Sequence, residues 1–122
     1  MGKFISDSAN DAALQWLIDN TTNIGVCSAE PTTSTEAGTT YALGTLAFAT
    51  VNWTLDDGDT SGRKITAAGT SVAVATSGTV THIAFYNPGT LCAVGTCAPT
   101  AVTAGGTVVV ASFDLNEIRD PA

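Results

Sequence analysis

Residues 80–86, with the sequence VTHIAFY, decide the fold class, because a short β-branched and aromatic run of this kind is typical of a strand. Alternation along a strand puts the single histidine, His82, on one face with Val80, Ala84 and Tyr86. Similar runs recur at fairly regular intervals between clusters of Gly, Pro, Ser and Thr. They occupy residues 24–28, 63–67, 71–76, 91–94 and 107–113. This spacing predicts a mainly β chain, an antiparallel β-sandwich or barrel resembling a jelly roll.

One helix is predicted, over residues 6–20. Ser8 followed three residues later by Asp11 resembles a capping box, and small and apolar side chains then recur at helical spacing. These side chains are Ala9, Ala12, Ala13, Trp16 and Leu17. We expect this stripe to pack on a sheet, and the helix to end near Asn20, where Asn and β-branched Thr residues weaken helical propensity.

The remaining segments complete one domain over residues 1–122, with its β part at 24–113. Residues 43–55 alternate as a single strand, which would place Phe48 and Trp53 on opposite sides. A Pro- and Gly-containing loop over residues 30–40 precedes it, and an acidic turn over residues 56–62 follows. The polar residues 114–122 are expected to leave the sheet as a C-terminal tail.

Composition excludes several classes of protein. Eleven acidic and four basic residues give a net charge of -7, so we expect no nucleic-acid partner and no binding to anionic membranes, both of which depend on clustered Lys and Arg. The 44% hydrophobic content predicts a folded chain. Apolar runs stay far below the roughly 20 residues of a transmembrane helix, and the first residues lack the apolar core of a signal peptide.

The three cysteines, Cys27, Cys92 and Cys97, are an odd number, so at least one thiol has no partner within the chain. Cys92 and Cys97 could close a small loop if Gly95 turned the chain, although positions five apart on a straight strand face opposite sides. Three alternatives stay open at this point: a bridge within the chain, reduced thiols, and a crosslink between subunits.

The sequence predicts a chain without catalytic residues and without a cofactor. His82 stands alone within a strand, where a structural or interface role is expected. Asp57, Asp59 and Ser61 match the first half of a calcium loop, but Ala68 occupies the twelfth position, where a Glu should complete the ligand set. We therefore interpret the segment as an acidic turn, with a weak surface cation as the alternative, and we expect no zinc site because a second ligand pair is missing.

Three sequence blocks together resemble a group of small virion structural proteins of tailed bacteriophages. The blocks are a helical segment at residues 12–19, a strand running into Ala-Glu-Pro at residues 24–31, and the strand at residues 78–87. Gly89-Thr90-Leu91 and the Ala-Gly turn within residues 102–108 follow, as in the relatives. The resemblance implies a non-enzymatic building block, and within that group we favour a decoration or cement protein on the outer surface of the capsid.

That resemblance also implies partners and a location. The partners would be the major capsid protein and further copies of this chain, commonly as a homotrimer, on a virion assembled in the host cytoplasm. Candidate contact residues lie at the N-terminus, in and beside the loop, and on the third block. They are Phe4, Ile5, Pro31, Tyr41, His82 and Tyr86. Two alternatives remain: a tail, neck or fibre component, and a carbohydrate- or cell-binding sandwich in which Trp53, Tyr41 and Tyr86 stack on sugars.

Overall fold

The computed structural model describes residues 6–48, 52–59 and 62–118. Within these ranges the chain is mainly β, with one N-terminal helix and antiparallel sheets, which confirms the predicted fold class. The elements are α1 (Asp7–Asn20), β1 (Asn23–Cys27), a short π-helix (Glu36–Thr40), β2 (Ala42–Ala47), β3 (Trp53–Asp57), β4 (Arg63–Ala67), β5 (Thr70–Ala73), β6 (Gly78–Asn87), β7 (Thr90–Val102), β8 (Thr107–Val110) and β9 (Phe113–Ile118).

The described strands form three antiparallel sheets around one core. Sheet I has the order β2-β1-β6-β7, sheet II the order β3-β4-β9, and sheet III consists of β5 and β8. None of these sheets closes on itself, so the arrangement is that of an open sandwich and not of a closed barrel. α1 contacts β3, β4 and β7.

The core is assembled from the helix and from strands of all three sheets. Phe85, Val26 and Ile65 are fully buried at its centre. Its buried members are Leu14, Ile18, Ile24, Val26, Leu43, Phe48, Trp53, Ile65, Ala67, Val72, Val80, Ile83, Phe85 and Val110. At about 25 cal/mol per Å² of apolar surface removed from water, burial of such a set is the main term that stabilises the fold.

The predicted single strand over residues 43–55 is wrong. The segment divides into β2 and β3, which belong to different sheets. As a result Phe48 and Trp53 do not point to opposite sides: both are buried, and their ring centroids lie 5.0 Å apart at an interplanar angle of 83°. Phe85 completes the cluster at 5.4 Å from Phe48 and 5.0 Å from Trp53. Strict alternation fails here because the chain changes sheets between the two aromatic residues.

The helix has the predicted extent but packs through a different face. Its N-cap is Ser6, whose side chain accepts a hydrogen bond from the Ser8 backbone, so the expected capping role of Ser8 is wrong. Leu14 and Ile18, four residues apart, are buried together with Asn10. The predicted stripe is largely exposed, and Trp16 retains 46% of its accessible surface. The larger branched pair determines which face docks, since it buries more apolar area than the alanines.

Two further strand predictions need correction. β6 shows a register shift between Val80 and His82, so Val80 joins the core with Ile83 and Phe85 instead of sharing a face with His82. Residues 114–118 lie in β9 and pair with β4, so the predicted tail is wrong there, while residues 119–122 fall outside the described ranges. Phe113 and Leu115 recur at the period of a strand, and the polar composition of the segment obscured that signal.

Candidate interaction surface

Sheet I is covered on its second face by the loop between β1 and β2. Cys27, Ala37, Ala84 and Tyr86 form a small buried cluster there. The Cys27 Sγ atom donates a hydrogen bond to the Ala37 carbonyl oxygen at 3.5 Å. Burial raises the pKa of the Cys27 thiol to about 11, so this cysteine is a packed thiol and not a reactive thiolate at neutral pH.

The loop is held in shape by one carboxylate. Glu36 Oε1 accepts hydrogen bonds from the Thr32 hydroxyl at 2.7 Å and from the Thr32 backbone N–H at 2.8 Å. These bonds favour the ionised form and lower the pKa of Glu36 below its ordinary value. These hydrogen bonds hold the loop over residues 30–40 in the conformation that covers sheet I.

The structure places the predicted contact residues in different environments. Pro31 and Tyr86 are buried within the chain, and Tyr41 and His82 are half-buried. Phe4 and Ile5 lie outside the described residues. Of the three aromatic residues predicted to stack on sugars, Trp53 and Tyr86 are buried, which leaves Tyr41 as the partly accessible member.

His82 lies on β6, opposite Cys27 of β1 and Thr96 of β7. Its Nδ1 atom is 2.8 Å from the Thr81 hydroxyl oxygen. His82 is therefore a half-buried strand residue whose neighbours include the Thr81 hydroxyl and Cys27.

The acidic turn is paired with cations from β4. Arg63 donates to Asp57 at 2.8 Å and to Asp11 of α1 at 2.8 Å, and Lys64 donates to Asp59 at 2.7 Å. Ser61, the third candidate calcium ligand, lies outside the described residues. Within residues 6–48, 52–59 and 62–118, three or more His, Cys, Asp or Glu side chains nowhere gather into a metal-binding group. Arg63 thus links the helix to the hairpin.

The three cysteines are free. Cys92 Sγ lies 3.5 Å from the Asn20 carbonyl oxygen at the end of α1, while Cys97 Sγ lies 3.9 Å from the Val80 carbonyl oxygen on β6. Because the two sulfurs contact different elements, the bridge between Cys92 and Cys97 is not formed. A crosslink between subunits stays a prediction.

The charged residues are confined to two parts of the chain. None of the Asp, Glu, Lys or Arg residues lies between Lys64 and Asp114, so β5, β6, β7 and β8 carry no charged side chain apart from any charge on His82. The spacing of charged residues along the sequence is the signal that identifies this uncharged segment.

An apolar cleft opens between two strands of this uncharged segment. It has a volume of about 300 Å³. Its floor includes Val26, Val80 and Ile83 of the core, and its walls are residues 95–97 and 100 of β7 and residues 108–112 in and after β8. Among the described strands, β7 and β8 each have a single sheet partner, so each has one unpaired edge.

We call the two chain segments that contain these walls, residues 95–102 and 107–112, the β7–β8 face. Most of its side chains are exposed Thr, Ala, Pro or Val, and Val109 retains 74% of its accessible surface. Sequence analysis named Gly95 and Cys97 and predicted a strand over residues 107–113, but it did not identify this surface as an interface. The signal was weak, because small uncharged side chains also occur throughout the buried strands.

Comparison with known proteins gives no relative: no family model, no curated protein and no solved structure matches this chain. Within the part of the chain that the structure describes, no helix combines the length and the apolar content that crossing a lipid bilayer would require.

Proposed function

We propose that this chain is a non-enzymatic structural subunit of a tailed-phage virion, and that it acts as a decoration protein on the outer surface of the capsid. The observation that carries the proposal is the exposed β7–β8 face, which has no charged residue in a chain whose net charge is -7. Depletion of charge in the contact region is the compositional mark of protein interfaces.

The three sequence blocks behind the phage resemblance coincide with folded elements. The first lies in α1, the second spans β1 and continues to the buried Pro31, and the third is β6. β6 turns at Pro88 and Gly89 into β7, and Asn87 Oδ1 accepts a hydrogen bond from the Gly89 backbone at 2.9 Å. The blocks therefore correspond to the helix and to the centre of sheet I, which are the parts that contact β7.

The charged part of the surface suits an outward position on a particle. α1 and the acidic segment of residues 56–59 carry six of the ten acidic residues that the structure describes, and the net charge is -7. An acidic outer surface keeps particles apart in solution by repulsion, and it would be a poor surface for packaged DNA.

Binding to capsids tests this proposal. The purified chain is added to particles of the encoding phage that lack it, and bound protein is measured after sedimentation. We expect saturable binding at a simple ratio to the major capsid protein, and quantitative mass spectrometry of complete particles should give the same ratio.

Two results would change the assignment. A few copies per particle, in multiples of three or six, would place the chain in the neck, tail or fibre instead. Absence from particles together with no saturable binding would overturn the virion role. Particles lacking the chain serve as the blank in both measurements.

A further inference from the structure

We infer that the β7–β8 face is the surface through which copies of this chain bind one another. The inference deepens the proposed function, since it rests on a structural role and names the self-contact of the subunit. The occupant of the cleft between β7 and β8 is then an apolar part of the same face on a second copy.

Charge decides which surfaces of two copies can meet. Each copy carries a net charge of -7, and the six Asp residues of α1 and the acidic turn outnumber their two cationic partners, Arg63 and Lys64, so an approach through either element brings like charges together. An interface that buried those carboxylates would also have to remove them from water, at a cost of several kcal/mol for each unpaired ion. The β7–β8 face contains no such group, so two copies can meet there without either cost.

The face carries both an apolar cleft and an exposed apolar side chain. It carries an apolar cleft of about 300 Å³ that reaches down to Val26 and Val80. It also carries Val109, an apolar side chain that is 74% exposed at the wall of that cleft. A cleft and a protruding valine on one surface allow the valine of one copy to enter the cleft of the next.

The side chains of the face lose little entropy when they become ordered. The exposed residues of its β7 segment are Thr96, Ala98, Pro99, Thr100 and Ala101. Ala and Pro have no side-chain rotamer freedom to lose, whereas Lys or Glu would lose about 1.5–2 kcal/mol each. Contact between these walls therefore retains most of the free energy gained from apolar burial.

Side-chain packing, not strand addition, is the expected mode of contact. Pro99 lies on β7 and lacks a backbone N–H, which interrupts the row of donors that an added strand would need. The pairing of β6 with β7 is also irregular at this point, since Val80 pairs with Thr100 and His82 with Thr96. Such an edge resists open-ended pairing, so a closed oligomer is favoured over a fibre.

Sedimentation velocity of the isolated chain and two variants tests the inference. Val109→Asp places a carboxylate on the β8 wall of the cleft, and Ala98→Asp places one on the β7 segment of the face, beside the cleft. Both residues are exposed, so the fold should be retained, and thermal unfolding followed by circular dichroism verifies this. The control is Thr54→Asp, which adds the same charge at an exposed position of β3, away from the face.

We expect the wild-type chain to form a defined oligomer at concentrations on the order of 10 µM. Each face variant should weaken self-association by at least about 100-fold, because it buries an unpaired carboxylate, and Thr54→Asp should change it by less than about 3-fold. If one face variant unfolds, the other still decides the outcome.

Three results would overturn the inference: a monomeric wild-type chain, undisturbed association of a folded face variant, and equal loss in Thr54→Asp, which would indicate general charge repulsion. Capsid binding is measured separately on the same samples. An oligomer that depends on the β7–β8 face but does not bind capsids would contradict only the proposed function.

Discussion

Replacing Phe85 with alanine is expected to lower the free energy of unfolding by about 3–5 kcal/mol. Phe85 is fully buried, and its ring lies 5.4 Å from that of Phe48 and 5.0 Å from that of Trp53, measured between centroids. The substitution removes apolar area, leaves a cavity, and abolishes two aromatic contacts worth about 0.5–1.5 kcal/mol each beyond area burial. Domains of this size are stable by about 5–15 kcal/mol, so the loss is large.

Urea unfolding followed by tryptophan fluorescence measures this change. Trp16 is 46% exposed, whereas Trp53 is 7% exposed and touches the Phe85 ring, so the background carries Trp16→Phe and leaves Trp53 as the reporter. Phe85→Leu refills part of the space and should lose less than the alanine variant. Leu46→Ala is the matched control, because Leu46 is 37% exposed and should lose about 1 kcal/mol or less.

A loss in Phe85→Ala no larger than that in Leu46→Ala would refute the reasoning. It would mean that the end of β2, the start of β3 and the middle of β6 do not share one aromatic cluster. The conclusion that Phe48 and Trp53 do not point to opposite sides would then be refuted as well. An unchanged Trp53 emission maximum in folded Phe85→Ala would count against the ring contact specifically.

Three further predictions concern a glycine, an acid and a thiol. Gly44→Ala should cost about 1–3 kcal/mol in urea unfolding, because its new Cβ would press on the Ala73 carbonyl oxygen, whereas Gly89→Ala, with its nearest neighbour 3.8 Å away, should be near neutral. Hydrogen bonds from Thr32 lower the pKa of Glu36 below its ordinary value of 4.5. Protection of the loop amides from hydrogen exchange should therefore be present above pH 4.5 and be lost as the pH falls through the lowered pKa. Glu36→Gln should abolish this pH dependence. Burial raises the pKa of the Cys27 thiol from 9.0 to about 11. The stability that the neutral thiol contributes is therefore complete below pH 9.0 and is lost as the pH rises through about 11. The free energy of unfolding of Cys27→Ala should not show this decrease at alkaline pH.

The elements that follow from local sequence signals were predictable. β4 has the predicted bounds, and α1 ends at the predicted residue. Both signals, alternation along a strand and residues that weaken a helix, depend on a few consecutive residues and not on the rest of the fold. β1 was predictable for a different reason, because its sequence is a continuous apolar run. This run reflects its position between β2 and β6 with both faces covered, so that nearly all of its side chains are buried.

Features that depend on tertiary structure were not predictable in this way. The register shift that turns Val80 to the core and the change of sheet between Phe48 and Trp53 arise from packing against other strands. β7 extends to Val102, well past the predicted end at Val94, because it pairs with the long strand β6. The Thr- and Ala-rich sequence of β7 did not indicate this length. The cleft belongs to this class, since its walls come from β7 and from the segment around β8.

The helix face illustrates why an apolar pattern alone does not identify an interface. The predicted stripe around Ala12 and Trp16 is left exposed, so it too is an uncovered apolar surface. Asp11 and Asp19 lie on the same helix, and burial of the stripe in an assembly would draw those carboxylates out of water. The β7–β8 face has a comparable apolar character with no carboxylate on either wall. The cost of removing charge from water therefore ranks this face above the helix as the contact between copies, although Trp16 is the larger exposed side chain.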